Sequence, residues 1–137
     1  GLVSMPGAMT PTEIMTAHYA GADFVMVGHM IVTDISNIPS DLSKEIVTDI
    51  LRTELGFSGV IITDSLQMES ITDTYSAGDA AIYAVAAGND MILEPENLEQ
   101  AVEGIKQAVK DQIIAETRIN ESVRRILVMK RTAIEKE

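Results

Sequence analysis

The chain has 137 residues, 46% of them hydrophobic and 23% charged, a composition that suits one packed domain and excludes a disordered tail. Ten basic against twenty-one acidic side chains give a net charge of −11, which repels the phosphates of nucleic acids and anionic membranes and excludes both as partners. The absence of cysteine excludes disulfides, thiolate nucleophiles and thiolate metal sites, so the fold rests on burial.

No uncharged stretch approaches the roughly 20 apolar residues of a membrane span, and no basic segment precedes an apolar one near the start of the sequence. A soluble, cytoplasmic protein is expected. The two histidines, His18 and His29, fall on different elements, so no zinc site and no cofactor is expected.

In chain order, Leu2–Met5 reads as a short strand stopped by Pro6-Gly7. Thr10-Pro11-Thr12-Glu13 then combines a capping threonine, a proline in the first helical position and a glutamate three residues after the cap, predicting a helix to about Tyr19. Asp23–Val27 is an apolar run too short for a helix and reads as a buried parallel strand ending near Gly28-His29. The polar stretch Thr33–Asp41 reads as a loop. It leads into a helix over Leu42–Leu55, with Val47, Ile50, Leu51 and Leu55 at helical spacing and Gly56 as the stop.

Gly59–Asp64 carries three consecutive β-branched aliphatics and gives the strongest strand signal, ending on Asp64. A helix over about Ala77–Ala87 closes at Gly88, before a last strand beginning at Met91 and terminated by Pro95. Asn97 with Gln100 forms a cap ahead of Leu98, Val102, Ile105 and Val109. Thr117 opens a final amphipathic helix with Ile119, Val123, Ile126 and Leu127 inward and Arg118, Arg124 and Arg125 outward. The eight methionines are expected to fill the core.

Four strand-helix units with a terminal helix make an α/β chain whose parallel strands are joined by right-handed crossovers. That is a (βα)4 half of a TIM (β/α)8 barrel, a single domain over residues 1–137; the alternative is an open, flavodoxin-like parallel sheet. Four strands leave two sheet edges, so a homodimer closing the ring, or a missing complementary half-barrel, is the expected partner.

From about Phe24 to Lys130 the chain resembles the C-terminal half of the catalytic barrel of family 3 glycoside hydrolases, in particular the bacterial β-N-acetylglucosaminidase branch. The resemblance rests on Val25-Met26-Val27-Gly28-His29, Leu51–Phe57, Gly59–Met68, Ala86–Met91 and Arg118–Leu127. Residues 1–24, through Met5–Met15 and Ala20–Phe24, are instead similar to ketodeoxyphosphogluconate aldolases, also (β/α)8 barrels. A join near Phe24-Val25 would keep the barrel register and points to an engineered chimera.

The glycosidase resemblance implies that Asp64 is the nucleophile of a retaining hydrolase, placed where working groups of such barrels stand; without it, a helix cap or polar loop residue is the other reading. It also implies a proton donor on a histidine-aspartate loop in the other half of the barrel, or on a further domain. Neither is present here, so a chain inactive by itself is expected. His29, at the same strand ends, is suggested as a substrate-side residue that hydrogen-bonds a sugar hydroxyl, or else a capped loop histidine. His18 reads as a helix residue without chemistry.

The aldolase Schiff-base lysine would fall at Met26, which excludes that reaction. Two readings therefore lead: a recombined half-barrel folding and assembly module, and, as the alternative, a family 3 β-N-acetylglucosaminidase or β-glucosidase fragment. A carbohydrate-binding role without turnover finds little support in 4% aromatic residues.

Overall fold

The computed structural model describes Thr16 and residues 21–135. The predicted first strand, the helix to Tyr19 and His18 lie outside the described residues. Within them the strands are β1 (Phe24–Val27), β2 (Val60–Ser65) and β3 (Met91–Leu93), parallel, in the order β1-β2-β3. The helices are α1 (Glu69–Thr72), α2 (Ala77–Ala87), α3 (Leu98–Lys110) and α4 (Glu116–Glu135), and a 3-10 turn (Ser40–Leu42) and a π-helix (Glu45–Glu54) precede β2. Three consecutive parallel strands with helical crossovers form a contiguous portion of a (β/α)8-type sheet.

Register decides which residues share a face. Met26 pairs with Ile62 and Ile62 with Met91, so these three form one row across the sheet. The row is only partly covered, with Met91 37% exposed. The opposite face is dry: Val25 and Ile61 pack with Val47, Leu51, Phe57 and Ala87. A second cluster joins Leu42, Leu66 and Ile71 to Ala80 and Ala84 of α2, and a third joins Val85, Ala108 and Ile114. Parallel sheets are ordinarily covered on both faces, so the half-open row is the side on which a barrel interior would close.

The predicted helix over Leu42–Leu55 is corrected in kind. The chain makes the 3-10 turn first, then i→i+5 bonds such as Leu55 N to the Ile50 carbonyl at 2.9 Å. Thr48 in this segment donates to the Ala87 carbonyl at 2.6 Å, which ties the widened turn to the end of α2. Gly88, which ends α2, has φ +123° and lies so close to Thr48 that a side chain there would collide with its hydroxyl. Both helix caps are built as their side chains require: Ser76 accepts from Asp79 N, and Asn97 from Gln100 N.

The inward stripe predicted on the last helix is also corrected, and the apolar positions of α3 share its exposure. Leu98 is 69% exposed and Leu127 59%, with Val102 and Val123 exposed as well. Leu98, Val102 and Val123, together with Ile105, Ile119 and Ile126, border an apolar groove of about 300 Å³ between α3 and α4. The periodicity was amphipathic as expected, but the described residues do not cover the stripe. Among the methionines, Met30, Met68 and Met91 stand exposed rather than filling the core.

Candidate active site

Two charged centres lie at opposite ends of the sheet. At the N-terminal end, Asp90 just before β3, its side chain fully buried, accepts hydrogen bonds at Oδ2 from Arg52 (2.6 Å) and Ile61 N (3.0 Å). Its Oδ1 accepts from Ser122 Oγ (2.7 Å) and Arg125 (2.9 Å). Arg118 stands 3.6 Å away and donates to the Asn89 carbonyl at 2.7 Å. Arg118 and Arg125 thus turn inward, correcting the outward face predicted for them, while Arg124 is exposed. Burial lowers the Arg52 and Arg118 pKa values, against the pull of Asp90. This centre clamps α4 and the π-helix to the sheet, and the N-terminal end of such sheets serves stability.

The C-terminal end carries Asp64. Because Met26 stands opposite Ile62, the next row of the same face brings Gly28 beside Asp64. The carboxylate is divided in function: Oδ1 accepts from Ser65 N at 2.8 Å, and Oδ2 lies 3.9 Å from where a Cβ on residue 28 would be. One oxygen is tethered to its own backbone, and the other faces the space that glycine leaves at the exposed end of β1.

His29 follows Gly28 and is held on both ring nitrogens rather than free. Its Nδ1 is 2.9 Å from Asp41 Oδ1, and its Nε2 donates to the Ser65 carbonyl at 2.8 Å. The side chains are 5% and 0% exposed. Burial alone would lower the imidazole pKa, but the hydrogen bonds to Asp41 and Ser65 and the charges of Asp41 and Asp64 outweigh it and leave it raised. Burial pushes the Asp41 carboxyl up to about 6, against the lowering influence of His29. Its second oxygen, Oδ2, is buried without a hydrogen-bond partner.

Asp41 is the residue that sequence reasoning missed. It sits at the end of a polar loop, twelve positions from His29, and only the 3-10 turn brings it to the imidazole. A hydrogen bond from His29 to a sugar hydroxyl would first have to break one of the two contacts its ring already makes. Among the described residues, no three His, Asp or Glu side chains gather closely enough to hold a metal ion. The larger cleft, of about 600 Å³ and bordered by Asp23, Gly59, Arg124 and Arg125, opens beside the N-terminal residues of β1 and β2, away from Asp64.

A carboxylate at the C-terminal end of a strand in a parallel α/β sheet stands where (β/α) barrels place their working groups. The model of the glycosyl hydrolase family 3 N-terminal domain matches residues 13–129, and the chain belongs to that family. It is 32% identical over 122 residues to a β-N-acetylglucosaminidase/β-glucosidase of Cellulomonas fimi, covering 81% of the chain and 22% of that protein. It is 31% identical over 134 residues to β-hexosaminidase A of Pseudoalteromonas piscicida, covering 90% of the chain and 22% of the relative.

Among solved structures, a family 3 β-N-acetylglucosaminidase from Paenibacillus sp. str. FPU-7 superposes with a TM-score of 0.83 at 35% identity, over 87% of this chain and 24% of that one. The chain thus spans about a quarter or less of the length of these relatives. The family match begins at residue 13 and runs across position 24 to 129. It favours the fragment of a family 3 enzyme over the recombined assembly module.

Proposed function

We propose that this chain is the nucleophile-bearing part of the catalytic barrel of a retaining β-N-acetylglucosaminidase or β-glucosidase, with Asp64 attacking the anomeric carbon. The observation that carries the reading is the division of the Asp64 carboxylate, one oxygen tethered to Ser65 N and the other directed over Gly28. A carboxylate fixed in this way can form a glycosyl ester while its second oxygen keeps a hydrogen bond. Supporting this are the identity to a β-N-acetylglucosaminidase/β-glucosidase and the fold shared with a β-N-acetylglucosaminidase.

The leaving oxygen needs a proton from a group about 5 Å from the nucleophile. His29 does not serve, because both its nitrogens are held. On this reading the donor lies outside the described residues, in the remainder of the family 3 barrel or in a second copy of the chain. Either packs on the half-open row Met26-Ile62-Met91 and on the apolar groove between α3 and α4.

The test compares leaving groups. A 2,4-dinitrophenyl N-acetyl-β-glucosaminide or β-glucoside departs without protonation, so the chain should release the phenolate in an Asp64-dependent reaction and Asp64→Asn should abolish it. An alkyl glycoside should remain intact in both. Equal phenolate release by parent and Asp64→Asn would defeat the assignment.

A further inference from the structure

We propose that His29 and Asp41 are positioning residues for Asp64: the imidazole, held on one side by Asp41, grips the Ser65 carbonyl with its Nε2–H and so fixes the segment that presents the carboxylate. The inference rests on the reading of Asp64 as nucleophile but is tested separately from it. It stands on three contacts. His29 leaves the end of β1, Asp41 belongs to the 3-10 turn, and Ser65 ends β2, so one side chain joins three segments remote in sequence. Ser65 is also the residue whose own N–H tethers Asp64 Oδ1. The same peptide segment is thus gripped at its carbonyl by His29 and grips Asp64 with its amide.

The tautomer follows from the acceptor. A backbone carbonyl can only accept, so Nε2 must carry hydrogen whether or not the ring is charged. While the ring is an imidazolium, Nδ1–H donates to Asp41 and both contacts hold. Once the ring loses a proton it must come from Nδ1, leaving a lone pair against the Asp41 carboxylate, and the grip loosens. The charged groups turned toward the imidazole are Asp41 from the 3-10 turn and Asp64 from β2, both acidic, so both favour the gripping state. Asp41 is anchored in turn, because Asn89 Nδ2 donates to its backbone carbonyl at 2.6 Å.

The pair separates from an ordinary buried contact in a substitution series. In Asp41→Asn the amide can accept from Nδ1–H or donate to the Nδ1 lone pair, so the grip should persist on both sides of the imidazole titration. In Asp41→Ala it should not. The readouts are long-range proton–nitrogen spectra of the His29 ring and the carbonyl carbon shift of Ser65, recorded on the 137-residue chain from pH 5 to 9. His29 is assigned by the signals lost in His29→Gln.

In the parent, Nε2–H should persist throughout, and the Ser65 carbonyl should move together with the His29 titration. Asp41→Asn should hold the Ser65 resonance at its low-pH position, and Asp41→Ala and His29→Gln should displace it at every pH. Should Asp41→Ala not fold, the comparison of parent with Asp41→Asn carries the test. A His29 that is protonated on Nδ1 when neutral, or a Ser65 carbonyl that ignores the His29 titration in the parent, overturns the proposal. Phenolate release by the same proteins is scored apart. Spectra as expected with no Asp64-dependent release would defeat the nucleophile reading and leave the grip standing as a structural contact.

Discussion

Removing the Asp90 carboxylate should cost about as much stability as the largest truncations in the apolar core. Asp90→Ala removes the buried counter-ion shared by Arg52, Arg118 and Arg125, whose side chains are only 17%, 19% and 27% exposed, and takes the acceptor from Ile61 N and Ser122 Oγ as well. Two hydrogen bonds from arginine are worth about 1.5–3 kcal/mol each, and breaking a buried ion pair from one side costs about 3–5 kcal/mol. These terms overlap, because both count the same desolvated guanidinium groups. The expected loss is therefore about 3–5 kcal/mol, a large fraction of the roughly 5–15 kcal/mol by which domains are stable. Urea unfolding followed by circular dichroism measures it, with an unchanged slope showing that the transition remains the same. A loss below about 1 kcal/mol would refute the claim that this centre holds α4 and the π-helix to the sheet.

Gly88→Ala should destabilise by about 1–3 kcal/mol in the same assay, since φ is +123° and the new Cβ would collide with the Thr48 hydroxyl that bonds to the Ala87 carbonyl. The Asp41 and His29 pKa values are both raised, so the folded chain binds more protons than the unfolded one in their range. Their contribution is full below the unfolded Asp value and falls as pH rises through about 6 and then through the raised His29 value. The stability of the parent relative to Asp41→Asn should accordingly decline between about pH 4 and pH 7; a difference that is flat or rises with pH would contradict it.

The elements that depend on local pattern were legible in the sequence. Val60-Ile61-Ile62 announces a strand because β-branched side chains favour it, and Asn97 with Gln100 announces a helix start because the side-chain carbonyl needs an amide three residues on. The position of Asp64 near the end of that strand was legible as well. What escaped was what distance in sequence conceals. Arg118 and Arg125 look like a solvated helix face until Asp90 is seen to be buried beneath them.

The Asp41 carboxylate looks like a loop residue until the 3-10 turn delivers it to His29. Leu98 and Leu127 carry the periodicity of a buried stripe, which records where apolar surface is meant to pack without saying what covers it. The π-helix likewise has the spacing of an α-helix, since Val47, Leu51 and Leu55 four apart stay near one face in either form.

The central claim is that Asp64 becomes glycosylated. Incubation of the chain with a 2,4-dinitrophenyl 2-deoxy-2-fluoro-β-glucoside, which forms the ester readily and hydrolyses it slowly, followed by peptic digestion and mass spectrometry, locates the bond directly. One added fluoroglucosyl group is expected on the peptide containing Asp64, and none in Asp64→Asn. A sugar carried on another residue, or a parent protein left without any adduct, would contradict it.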